Sequence, residues 1–186
     1  MLVGIDAAHG APTRLLDWTA SPYVAAYFAV QHDDPNADGA VLCFCKNILE
    51  QRVKEGLGEE PPAFHAVNAP DWYEEKIVSL RGQAIVMPLE FAYPSSERIA
   101  TQQGRFTMCF DVLAEHDCLI QQVLAPYARK FVIPQGTKAH FLLRLKEMNI
   151  TGSALFPGVD GLGQSAKELV HLRAYLLKRG TQAASA

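Results

Sequence analysis

The residues best suited to chemistry stand together near the start of the chain. His9-Gly10-Ala11-Pro12-Thr13-Arg14-Leu15-Leu16-Asp17-Trp18-Thr19 runs on through Ser21-Pro22-Tyr23 to Val24-Ala25-Ala26-Tyr27-Phe28-Ala29. Arg14 and Asp17 bring opposite charges into an apolar segment, and Gly10 and Pro12 punctuate the backbone before them. A guanidinium is a rigid fork of donors, so Arg14 suits the phosphate or carboxylate of a ligand, and it suits a neighbouring carboxylate of the protein equally well. An unperturbed imidazole has its pKa near neutrality, so His9 reads either as a general acid or base or as a hydrogen-bonded structural histidine. In an extended segment Arg14 and Asp17 point to opposite faces, which leaves Asp17 to orient the turn that follows Trp18. Thr19 and Tyr27 are placed to line the same cleft, Thr19 as a hydrogen-bonding group and Tyr27 as a stacking surface.

A second group of candidates is Arg98, Gln102 and Gln103, followed by Gly104 and the apolar run from Phe106. Neutral amides beside a glycine suit a ribose hydroxyl or a base, and they suit a polar turn with a β-bulge as well. Cys43-x-Cys45 and His116-x-Cys118 supply zinc-ligand types at poor spacing, and nothing orients His116 as a base for Cys118, so both readings are set aside. No metal is expected.

The elements that must position these groups follow from pattern and punctuation. Extended pieces are expected over 3–6 and 14–18, and Ser21-Pro22 opens a helix from Pro22 to about Gln31. A turn at Asp33 to Gly39 leads to a buried strand over Ala40 to Cys45. Asn47 is expected to cap a helix to about Glu55, broken at Gly56 to Pro62, which reads as a mobile insertion. A short helix over Asp71 to Leu80 and strands over Ala84–Phe91, Phe106–Val112 and Lys130–Ile133 follow. Two helices close the chain, at Thr137–Glu147 and Leu162–Lys178, the second with Leu162, Ala166, Leu169, Leu172 or Arg173, and Leu176 toward the core. Short strands among helices predict an α+β fold, a single domain with a mixed, mainly antiparallel sheet and flanking helices.

The chain has 186 residues, of which 49% are hydrophobic, enough for one sizeable core. A net charge of −3 gives no global attraction for nucleic acid. The absence of a long apolar run or signal-like start predicts a soluble, cytoplasmic protein away from the membrane. Cys43, Cys45, Cys109 and Cys118 lie in or beside apolar segments and read as reduced core thiols.

The string HGAPTRLLDWTASPYVAAYFA, then Asp38-Gly39-Ala40-Val41, Arg98-Ile99-Ala100-Thr101-Gln102-Gln103-Gly104-Arg105-Phe106 and Leu155-Phe156-Pro157-Gly158-Val159-Asp160-Gly161-Leu162, resembles the FRG domain in content and order. The family's Phe/Trp-Arg-Gly signature lies upstream of the first block. The resemblance therefore implies an N-terminally incomplete FRG-type domain over 1–179, a disordered tail over 180–186, and a partner chain as one source of the missing segment. More distantly, the strand, Thr19 turn and aromatic helix are similar to ADP-ribosyltransferase folds. That similarity implies an NAD-like nucleotide ligand, with His9 and Gln103 in catalytic positions and Arg14, Asp17, Thr19, Tyr27, Arg98 and Gln102 in binding ones. Where such enzymes place a glutamate, Gln102 and Gln103 carry no charge, so the chain alone is expected to be weak or inactive. The alternative expectation is a non-catalytic protein-interaction or sensor module in bacterial or phage defence.

Overall fold

The computed structural model describes residues 15–31, 37–63, 66, 69–80, 82–83, 85–89, 96–111 and 116–184. Its elements in chain order are β1 (Leu15–Thr19), α1 (Pro22–Val30), β2 (Gly39–Phe44), α2 (Lys46–Leu57), α3 (Ala69–Ser79), β3 (Val86–Leu89), α4 (Glu97–Thr101), β4 (Gly104–Cys109), α5 (His116–Leu124), β5 (Ala128–Ile133), a 3₁₀ turn (Gln135–Thr137), α6 (Lys138–Glu147), α7 (Gly152–Leu155) and α8 (Val159–Ala184). The fold class is α+β. The strands form two small sheets, ordered β1-β4-β3 and β2-β5, where one mixed sheet was expected. The chain divides into two compact units.

The first unit draws its described residues from Met1–Trp18, Leu42–Ser95 and Gly104–Arg129. Its centre is β4, which pairs antiparallel with β3 in the register Val86 to Cys109 and Leu89 to Phe106. Phe106 through Phe110 are all buried, a continuous run in place of alternation, because β4 lies between two strands and is covered by side chains on both faces. α2 and α5 pack on β3 and on each other, burying Leu49, Val53, Ile120 and Leu124. Trp18 on β1 donates its indole N–H to Thr107 Oγ1 on β4 at 2.8 Å, and its ring meets the edge of Phe44 at 4.7 Å. A fully buried threonine hydroxyl thus gains the partner that burial requires.

Helix α2 begins two residues earlier than its sequence suggests. Cys45, not Asn47, occupies the N-cap, without a side-chain bond. The helix stops at Gly58, whose φ of 70° and N–H bond to Lys54 O make the left-handed cap that glycine takes most easily. Ion pairs from Lys54 to Glu60 at 2.8 Å and from Lys76 to Glu59 at 2.6 Å tie down the segment beyond it.

The second unit draws its described residues from Thr19–Val41, Ser96–Gln103 and Lys130–Ala186. Ser21 caps α1 as its sequence predicts, accepting from Val24 N with Pro22 in the first turn. Val24, Tyr27 and Val30 on α1, Ile133 on β5, Leu142 and Leu145 on α6, Leu155 at the end of α7, Phe156 just beyond it, and Leu172 on α8 form its core.

Helix α8 departs from expectation in length and in face. It spans Val159–Ala184, beyond the expected Leu162 to Lys178. Of the stripe expected inward, only Leu172 is buried. Leu162, Leu169 and Leu176 are exposed, and Gly161, Glu168 and Leu172 face in. Gly161 sets this rotation: a Cβ there would stand 2.1 Å from the Phe156 carbonyl oxygen, so only a residue without a side chain lets α8 close onto α7.

The expectation of core thiols holds for Cys109 alone. Cys43, Cys45 and Cys118 are exposed. Cys43 lies in a two-stranded sheet, whose strands lack the neighbours on both sides that enclose β4.

Candidate functional site

The two candidate blocks meet inside the second unit. Thr19 Oγ1 donates to the Gln102 carbonyl at 2.8 Å, and the Ala20 N–H donates to the Gln103 carbonyl at 3.1 Å. Thr19 Oγ1 also accepts from Ser21 N at 3.0 Å. One hydroxyl therefore fixes both the end of β1 and the entry to α1.

The other side of the junction is made by α4. Ser96 caps this short helix through Ile99 N, and Gln103, at a φ of 49°, turns the chain out of it. A left-handed backbone is unfavourable for a residue with a side chain, by about 1 kcal/mol. The bonds from Ala20 and Thr19 hold it there. Gln103 is exposed, whereas Gln102 and Thr19 are half-buried.

The Leu155–Phe156 segment completes the surroundings. Gln102 Nε2 donates to the Leu155 carbonyl at 3.0 Å, and Thr101 Oγ1 donates to the same oxygen at 3.3 Å. The half-buried Arg98 guanidinium lies over the Phe156 ring, 5.0 Å from its centroid. Phe156 meets Phe28 edge-on at 5.9 Å, and Phe28 meets Tyr27 at 5.7 Å. A continuous aromatic path thus runs from Arg98 into the core.

Tyr27 has no exposed surface. Its hydroxyl donates to Glu168 Oε1 at 2.5 Å, and the same oxygen accepts the Gly152 N–H at 2.6 Å. Burial first, then the hydrogen bond to Glu168 and its charge, hold the Tyr27 hydroxyl far above the usual tyrosine range. An enclosed ring offers no face to a ligand, so Tyr27 serves as an interior anchor where its sequence context suggested a stacking surface.

Three candidates remain. Asp17 is exposed on β1, in the first unit. His9 and Arg14 lie outside the described residues. Among the described residues no three His, Cys, Asp or Glu side chains group as metal ligands, and no helix is long and apolar enough to cross a membrane.

Reading the sequence for site residues misses Glu168, Gly152 and Phe156. Phe156 stands in a block already noted for its resemblance, and that block proves to adjoin Arg98 and Gln102. Glu168 carries no local signal: between Lys167 and Leu169 on an amphipathic helix it reads as a solvent-facing charge. Only the close packing at Gly152 and Gly161 turns it inward.

Neither the curated proteins nor the solved structures contain a match to this chain. A family model does match, over a span that includes β1 and α1 and with them Asp17, Thr19 and Tyr27. It is the model of the FRG domain, which matches residues 5–38, so that segment is similar to the FRG domain.

Proposed function

We propose that this chain is an FRG-type binding module that holds a nucleotide-like ligand at the junction of the Thr19–Tyr27 and Arg98–Gln103 segments, with the domain extending over 1–179. Arg98 takes an anionic group of the ligand, and the exposed Gln103 amide hydrogen-bonds its sugar or base. The observation that carries the reading is the Arg98 guanidinium over the Phe156 ring, 5.0 Å from its centroid. A guanidinium that rests against a ring has part of its freedom already restricted, so less is lost when its donors meet a phosphate or carboxylate.

Thr19 and Gln102 act by position. Their polar atoms are engaged in the bonds that hold Gln103 in place. The reading is of binding without turnover, because ribosyl transfer needs an anion to stabilise a cationic centre, and Gln102 and Gln103 are neutral where the resemblance would place it.

Titration of the purified chain with NAD and with ADP-ribose, followed by thermal shift and by nicotinamide release, tests this. A saturable rise in Tm without release is expected. Release of nicotinamide would replace the binding module with a transferase, and no shift at millimolar ligand would remove nucleotides from the reading.

A further inference from the structure

Helix α8 carries two faces, and its own unit uses only one of them. Gly161, Glu168 and Leu172 point inward. A second face, about a third of a turn away at 3.6 residues per turn, presents Val159, Leu162, Leu169 and Leu176, exposed by 82, 67, 55 and 51%. Ala166 and Arg173 lie on the same face and are also exposed. Positions 159, 166 and 173 recur every seven residues, and so do 162, 169 and 176. Interleaved, they make the three-and-four spacing of a coiled-coil seam. A single exposed leucine needs no explanation, but a contiguous row does. Beside the row lies a groove of about 650 Å³ whose lining includes Leu143 of α6 together with Leu169, Leu172 and Leu176.

We infer that this seam is a self-association surface, on which the α8 helix of a second copy packs antiparallel. Area and charge select this occupant. With leucine and valine side chains of ordinary size, the exposed portions of the seam and of flanking Val170 and Leu177 come to roughly 600 Å² per copy, so a symmetric pair removes about 1,200 Å², the lower edge of specific interfaces. A parallel pair would set Arg173 against Arg173 inside the seam. In an antiparallel pair one register places Val159 opposite Leu176, Ala166 opposite Leu169 and Arg173 opposite Leu162, and the two-fold axis repeats all three layers. Arg173 then lies one layer in from each end of the row, where its stem covers Leu162 and its guanidinium reaches past the seam to water. The helix dipoles also run head to tail.

Sedimentation of the full chain at micromolar to tens of micromolar concentration tests the proposal. A dimer is expected. Leu169→Glu, which introduces two carboxylates at the centre of the seam, is expected to weaken the dimer by at least about tenfold while far-UV circular dichroism is retained. Orientation is read separately, and without a charge in the seam, by oxidising a mixture of Val159→Cys and Leu176→Cys chains in which Cys43, Cys45 and Cys118 are serine. Cross-linking of the first variant to the second is the expected result. A monomer throughout, a folded Leu169→Glu protein that still dimerises, or cross-links joining like variants in place of unlike ones would overturn it.

Discussion

Tyr27 and Glu168, separated by 141 positions in sequence, share a buried hydrogen bond of 2.5 Å. The carboxylate oxygen that receives it also receives the Gly152 N–H, so one atom ties α1, the start of α7 and the middle of α8. Truncating either partner has a different consequence. Tyr27→Phe removes one donor and should cost roughly 1–2 kcal/mol, whereas Glu168→Ala strands a buried hydroxyl and a buried backbone N–H and should cost about 3 kcal/mol or more. Urea unfolding of both single variants and the double variant checks this, with a coupling of at least about 1 kcal/mol expected.

The same contact makes the protein sensitive to alkali. Burial and Glu168 raise the Tyr27 hydroxyl far above its ordinary value of 10.0, which the unfolded chain retains. Above that pH the folded state binds more protons than the unfolded state. Stability is therefore fully present below it and lost as pH rises, with Tyr27 contributing up to about 1.4 kcal/mol per pH unit. Tyr73, raised by burial, adds to the slope. Unfolding free energies measured on both sides of that pH should show a shallower loss for Tyr27→Phe than for the unchanged chain.

Two glycines of α8, two positions apart, should respond to alanine with opposite signs. A Cβ at Gly161 would stand 2.1 Å from the Phe156 oxygen, and backbone cannot swing aside, so Gly161→Ala should destabilise by about 2 kcal/mol or more. At Gly163 nothing lies within 4 Å of an added Cβ. Gly163→Ala should stabilise by about 0.5–1 kcal/mol through helix propensity alone. Thermal unfolding of the pair tests the rotation assigned to α8 more cleanly than either variant by itself.

Thiol accessibility divides the cysteines. Cys43, Cys45 and Cys118 should react with an aromatic disulfide reagent in the native protein, and Cys109 only on unfolding. Reaction of all four at one rate would contradict the burial of β4.

Local chemistry made much of this legible from sequence. Ser21-Pro22 specifies the start of α1 because a hydroxyl cap and a proline in the first turn act within a few residues. The α+β class follows from short β-branched and aromatic runs set among helices. Where a side chain faces depends on distant packing, and there periodicity misled. On α8 the leucine row reads as core, yet contact between Gly161 and Phe156 turns a glycine and a glutamate inward. Tyr27 looks available for stacking until Phe28 and Glu168 enclose it. No local rule joins Thr19 to Gln102, 83 positions apart, so their meeting is visible only in the folded chain.

The central claim is that Arg98, held on Phe156, recognises the anionic group of a nucleotide-like ligand. Calorimetric titration of the unchanged chain, Arg98→Lys and Arg98→Ala with ADP-ribose tests it most directly. Saturable binding to the unchanged chain, weakened by about tenfold or more in Arg98→Ala and only partly recovered in Arg98→Lys, is the predicted result, because lysine keeps the charge but loses the planar fork. Equal affinity in all three folded proteins, or no heat of binding to any of them, would contradict it.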